Sequence, residues 1–156
     1  MPATIANIFI TPAKSQPLID VEQVEAVAGR GLVGDRYYLG TGYYSGKPGW
    51  GANVSLLAGE AIDAVNTGHG QHFNEAMLRR NIVTRGIDVE QLIGRKFQIG
   101  TAILRGIKRY PPCRHLAELC GAPELIRYLA YCGGIGAEVV VSGVICVGDE
   151  IKMMMG

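Results

Sequence analysis

The chain lacks an excess of either charge. Fifteen Lys and Arg stand against fourteen Asp and Glu, a formal net charge of +1. A surface that holds nucleic acid or an acidic membrane broadly needs a clear basic surplus, so neither is expected as a partner, and any anion site must be local. Long apolar runs are also missing: none reaches the ~20 residues of a membrane-spanning helix. Met1 to Pro12 shows no basic stretch followed by a long apolar core, so no secretory signal is visible. Cysteine is sparse. Cys113, Cys120, Cys132 and Cys146 form no Cys-x-x-Cys pair and have no His-x-x-x-His partner, which leaves structural zinc and iron–sulfur ligation unsupported. A disulfide framework is not expected either, and the cytoplasm is the expected compartment. No Gly-x-Ser-x-Gly elbow is present, and no flavin or nicotinamide fingerprint.

What is present suits a folded domain. The 156 residues are 48% hydrophobic, enough for one domain over residues 1–156 with its own core. The 22 glycines fall mostly between short apolar runs and imply many tight turns. Strands are expected at Ala3 to Ile10, Val24 to Ala28, Asn53 to Leu57 and Asn81 to Thr84. Lys96 to Ile107 alternates with period 2 at Phe97, Ile99, Thr101 and Ile103, as one half-buried strand would. Gly136 to Ser142 and Val144 to Lys152 are the last two strands, with a turn at Ser142-Gly143 and a kink at Gly148-Asp149. Helices are expected from Ala58 to Asn66, Phe73 to Arg80 and Pro123 to Tyr131, and a helical turn from Asp88, as cap, to Ile93. Gly34 to Gly51, rich in Gly and Tyr, reads as a long loop. The fold class is mainly β with a few short helices, arranged as a distorted closed barrel.

Cys113 stands in Tyr110-Pro111-Pro112-Cys113-Arg114-His115. Each proline fixes its own φ and pushes the preceding residue toward extended geometry, so the segment aims the thiol stiffly. Arg114 and His115 favour the thiolate, the form that attacks as nucleophile or binds a soft metal. The alternative is a small buried hydrophobe at a strand end.

Two further segments carry polar chemistry. Gly29-Arg30-Gly31-Leu32-Val33-Gly34-Asp35-Arg36 has three glycines without dinucleotide spacing. Its glycines suit positive φ and close ligand approach, and Asp35 can order the loop by bonding amides or Arg36; a plain turn is the alternative. Arg79-Arg80-Asn81-Ile82-Val83-Thr84-Arg85-Gly86 offers guanidiniums for a phosphate, an amide for a heterocycle edge and the Thr84 hydroxyl. A helix C-terminus dressed with cations explains the same residues equally well. His69 and His72 read as a solvated loop, and Trp50 as either a lid aromatic or a core anchor. Tyr37, Tyr38, Tyr43 and Tyr44 could stack on a flat ring.

Taken in order, the segments resemble the MOSC domain, named for the C-terminal domain of molybdenum-cofactor sulfurases. The resemblance rests on Gly31 to Arg36, Val54 to Leu57 with Glu60, Arg79 to Asp88 and Leu92 to Phe97. It continues through Pro112-Cys113 with His115-Leu116, Gly133-Gly134, Gly143 and Gly148-Asp149. It covers about residues 5 to 152 and looks like a stand-alone bacterial-type member.

That resemblance implies a barrel-like fold of the MOSC type that binds a molybdenum cofactor, a molybdopterin whose dithiolene holds Mo. Cys113 is implied as the Mo ligand and catalytic residue. Arg79 and Asn81 fall where relatives contact the pterin phosphate and ring, and Arg36, Arg80 and Thr84 complete the implied cofactor-binding set. The implied activity is reduction of N-hydroxylated small molecules, with electrons from a separate donor protein. The alternative is a sulfur-carrier or cofactor-delivery module that holds persulfide sulfur on Cys113, supplied by a separate sulfur donor. Two places depart from the pattern, one of them a segment: Cys132 stands where similar sequences often have Arg, and Tyr110 to Pro112 replace an acidic, Cys-containing approach.

Overall fold

A computed structural model describes residues 2–13, 16–40, 51–69, 79–109 and 134–154. The helix expected at 123–131, most of that expected at 73–80, and Cys113, His115, His72, Trp50, Tyr43 and Tyr44 lie outside these residues.

The described chain is mainly β. Its strands are β1 (Thr4–Ile10), β2 (Ile19–Asp20), β3 (Gln23–Val27), β4 (Gly31–Leu32), β5 (Val54–Ala58), β6 (Ile82–Arg85), β7 (Lys96–Ile99), β8 (Ala102–Arg109), β9 (Ile135–Val141), β10 (Gly143–Cys146) and β11 (Ile151–Met153). Two helices, α1 (Arg36–Leu39) and α2 (Gly59–His69), and a 3₁₀ turn at Val89–Leu92 accompany them. No described helix is long and apolar enough to cross a membrane.

Eight strands form one sheet in the order β11-β7-β8-β9-β5-β6-β1-β2, and β10-β3-β4 form a second. The one parallel neighbour pair among the described strands is β5–β6, with Leu56 opposite Ile82 and Ala58 opposite Thr84. A parallel pair needs a crossover, and α2 lies within that connection, packed on both strands.

One apolar cluster joins the two sheets. The small sheet contributes Val24, Ala26, Leu32 and Ile145; the large one contributes Ile5, Ile8, Leu56, Ile82, Phe97, Ile99, Leu104 and Ile135. Phe9, Leu57 and Val83, next in sequence to cluster residues, are also buried but stand outside this cluster. Period-2 alternation puts all three on the opposite face, and α2 packs on β5 and β6, the strands that carry Leu57 and Val83. Strands β5 and β6 are therefore covered on both sides, which explains the consecutive apolar residues Leu56-Leu57 and Ile82-Val83.

The expected closure of the barrel is corrected. The large sheet is curled but open, a half-barrel whose ladder ends at β11 and β2. β1 divides its outer edge between two partners. Its C-terminal half pairs with β2 through Phe9–Asp20 and Ile10–Ile19. Its start meets residues 148–151: the Ile5 amide donates to Asp149 O (2.9 Å), Gly148 to Ile5 O (2.8 Å) and Ile151 to Ala3 O (2.8 Å). The ends are thus drawn together by a few bonds and one Thr4–Glu150 bridge, too short to make a ladder.

Other expectations change as well. Lys96 to Ile107 is a hairpin rather than one strand: β7 and β8 pair from Lys96–Arg105 to Ile99–Ala102, with Gly100-Thr101 as a two-residue loop. Gly100 has φ +59°, the left-handed value that the first residue of a type II′ turn requires. Inside the expected loop from Gly34, residues Arg36–Leu39 form α1, with Asp35 as N-cap and the left-handed Gly40 after it. Ser142-Gly143 does not join sheet neighbours, because β10 crosses to pair with β3, from Gly143–Ala26 to Cys146–Gln23. The strand expected from Val144 to Lys152 is broken at its Gly148-Asp149 kink into β10 and β11, whereas Asp88 caps the 3₁₀ turn as expected, through the Glu90 amide (3.1 Å).

Candidate functional site

The glycine segment and the arginine segment, 43 residues apart at Arg36 and Arg79, meet directly. The turn after β4 places Asp35 inside the protein, fully buried. Its Oδ1 accepts the Thr11 amide from the end of β1 (3.1 Å), and its Oδ2 accepts the Tyr37 amide (3.3 Å). The same Oδ1 pairs with Arg36 Nη1 at 3.2 Å. Arg36 is itself only 6% exposed, and its Nη2 donates to the backbone carbonyl of Arg79 at 2.8 Å. Its guanidinium also lies over the Tyr37 ring, 4.9 Å from the centroid.

Arg79 has φ +56°, the one left-handed non-glycine among the described residues. A long side chain in this region is strained, and such strain persists only where surrounding bonds enforce it. One such bond comes from Arg36. Two residues on, Asn81 is clamped to β5 and β1. Its amide N–H donates to Ser55 Oγ (2.8 Å), and its Oδ1 accepts both the Ser55 amide (3.0 Å) and the Ser55 hydroxyl (3.1 Å). Its Nδ2 donates to Phe9 O (3.1 Å), while its own carbonyl accepts the Phe9 amide (2.6 Å). Both oxygen lone pairs of the side chain are therefore used inside the protein, and one N–H remains beyond the bond to Phe9. Arg80, between these two anchored neighbours, is 4% exposed.

Of the six residues read from the sequence as a site, the structure brings Arg36, Arg79, Arg80 and Asn81 together just before β6. Thr84 lies further along that strand, opposite Ala58 and Ile5, fully buried, and its hydroxyl has no hydrogen-bond partner among the described residues. Cys113 lies outside the described residues. The sequence reading missed Ser55 and Thr11. The signal for Ser55 was a lone hydroxyl within the apolar run Val54 to Leu57, since a buried polar group needs a partner; Thr11 acts through its backbone and carried no signal.

A separate cleft of about 250 Å³ opens toward the C-terminal ends of β5 and β8, lined by residues that include Leu57, Ala61, Asp88, Arg109 and Gly134. Arg109 Nε reaches Glu90 Oε1 at 2.8 Å on its rim. Arg109 and Gly134 bracket the stretch 110–133, which contains Cys113.

The MOSC domain profile matches residues 44–152 of the sequence. The chain belongs to the MOSC domain family. Solved structures share the fold. The YuaD protein from Bacillus subtilis superposes with a TM-score of 0.81 at 20% identity, covering 98% of this chain and 96% of that one. YiiM from Geobacillus stearothermophilus gives 0.75 at 17% identity, over 99% and 76% of the two chains. YiiM from Escherichia coli gives 0.70 at 15% identity, over 98% and 70%. At these identities the likeness speaks for the fold alone. Curated protein sequences give no significant match.

Proposed function

We propose that this MOSC domain binds a molybdenum cofactor and serves as a small molybdoenzyme that reduces N-hydroxylated compounds. The observation that carries the reading is the burial of two guanidiniums, Arg36 and Arg80, beside a left-handed Arg79, in the stretch where the family resemblance puts the pterin phosphate. Arginine stays charged at any accessible pH, and its burial is favoured by nearby anionic groups. Asp35 compensates Arg36. A phosphate seated here would add charge compensation and use the two-pronged geometry of a guanidinium.

The residues present fit such a group. Arg79 and Arg80 would hold the phosphate, and Asn81 has one N–H left for a heterocycle edge; the Thr84 hydroxyl, without a bond among the described residues, lies further along β6 and outside this group. The Cys113 thiolate is the soft donor that molybdenum would require. When bound, the cofactor would supply the redox centre, whereas the chain supplies position, polarity and exclusion of water. Electrons would come from a separate protein, since the sequence has no flavin, nicotinamide or iron–sulfur signature.

The test is metal analysis of protein from a host that makes molybdopterin in excess. Near-stoichiometric Mo is expected, together with hydroxylamine-type reduction from an artificial donor; Cys113→Ala should lose both. Wild-type protein that carries no Mo from such a host would refute cofactor binding. Mo-loaded protein that reduces no N-hydroxylated substrate, and instead gains a sulfur adduct on Cys113 from a cysteine desulfurase, would replace the enzyme by a sulfur carrier.

A further inference from the structure

Arg36 and Asp35 sit at the candidate anion site, yet their visible bonds point inward to the protein. Asp35 is fully buried and its two oxygens are engaged by the Thr11 amide, the Tyr37 amide and Arg36 Nη1. Arg36 spends one terminal nitrogen on Asp35 and the other on the carbonyl of Arg79. The series runs Thr11 N–H to Asp35, Arg36 N–H to Asp35, Arg36 N–H to Arg79 O. It ends on the one described non-glycine residue in the left-handed region. On the other side of Arg80, Ser55 holds the amide and side chain of Asn81. Arg80 is thus pinned on both flanks.

We propose that Asp35, Arg36 and Ser55 are positioning residues that fix the backbone of Arg79–Asn81, so that the Arg80 guanidinium meets a phosphate-class oxyanion already oriented. This rests on the anion-site reading given above for Arg79 and Arg80, and assigns to Arg36 a supporting role rather than direct contact. Pre-organisation raises affinity because the entropy of ordering the donor is lost in folding rather than in binding. The two roles predict opposite effects of one substitution. If Asp35 acted only through its charge, removing an anion beside the guanidiniums would tighten an oxyanion. If it acts by position, Asp35→Asn loosens Arg36, then Arg79, and the oxyanion binds more weakly.

The experiment titrates inorganic phosphate into purified wild type, Asp35→Asn, Arg36→Lys and Arg80→Gln, and records backbone chemical shifts at Arg79, which mark the left-handed conformation. Wild type is expected to bind phosphate and Arg80→Gln to lose it. Asp35→Asn and Arg36→Lys should each weaken phosphate by about tenfold, the size of one charge-assisted bond, and shift Arg79 out of its left-handed signature. A lysine cannot bridge Asp35 and the Arg79 carbonyl with a planar fork. If Asp35→Asn binds phosphate as tightly as wild type or more tightly, while Arg80→Gln fails, positioning is overturned and the anion site stands. If wild type binds no phosphate but Arg79 still shifts in Asp35→Asn and Arg36→Lys, the anion reading falls and the backbone strut remains. Unchanged Arg79 shifts in both variants overturn the strut directly.

Discussion

Ser55 shows how much one buried hydroxyl can hold. It accepts from the Asn81 amide and donates to the Asn81 side chain, joining β5 to the residue that enters β6. Ser55→Ala removes both bonds and strands a buried amide N–H, so a loss of about 1–3 kcal/mol is expected, read from urea unfolding. A cost near zero would mean that the Asn81 amide has another acceptor. Gly134 is a different kind of constraint. It has φ +84°, and a Cβ there would collide with the backbone carbonyl of Leu56. Neither atom belongs to a flexible side chain, so Gly134→Ala should cost about 3 kcal/mol or more, through strain and displacement of β5. At this scale the sequence was informative about residue type and about the neighbouring Asp35–Arg36 pair, and silent about distant partners. Asp35 was legible as an orderer of its loop, and Arg79–Arg80 as a cationic cluster. That Asp35 reaches Thr11 and that Arg36 reaches Arg79 depends on contacts 24 and 43 residues apart, which no local pattern encodes.

Among elements, those whose signals are local were legible. β1, β3 and β5 sit within a residue or two of their expected bounds, because each is an apolar run closed by Pro or Gly or followed by a helix start. The β7–β8 hairpin was not, although Gly100-Thr101 is a recognisable two-residue turn. The alternation at Phe97, Ile99, Thr101 and Ile103 runs straight through it, yet burial switches phase there, from Phe97 and Ile99 to Ala102 and Leu104. Period alone cannot register a phase change that a turn absorbs. α1 was overlooked because four residues are too few to show a helical period; its signature is the pair of caps, Asp35 and Gly40. Two predictions belong at this scale. Asp88→Ala, which removes the cap of the 3₁₀ turn, should cost about 1 kcal/mol. Arg105→Ala breaks an ion pair with Glu138 between β8 and β9, but both side chains are partly exposed, so the loss should stay within about 1 kcal/mol. Thermal unfolding of the two variants checks the ranking.

Over the whole molecule, the family match begins at residue 44, yet the fold does not. β1 lies between β6 and β2 in the large sheet, and β3 is the central strand of the small one. Their side chains Ile5, Ile8, Val24 and Ala26 belong to the shared core. A fragment of residues 44–156 would expose the edges of β6 and β10 and leave part of that core uncovered. It is expected to lack a cooperative thermal transition; a sharp one, with near-UV circular dichroism like that of the full chain, would show that the first strands are dispensable. The mainly β class was legible at this scale from many short apolar runs and glycine turns. Closure was not, because it depends on how β1 shares its edge between β2 and residues 148–151.

That shared edge has a topological corollary. Ala3 and Ile151 are joined by a backbone hydrogen bond of 2.8 Å, so the start of β1 and the three-residue β11 lie side by side. A short flexible linker between them, with new ends cut in the exposed turn at Gly29-Arg30, would give a circular permutant that keeps the remaining strand neighbours.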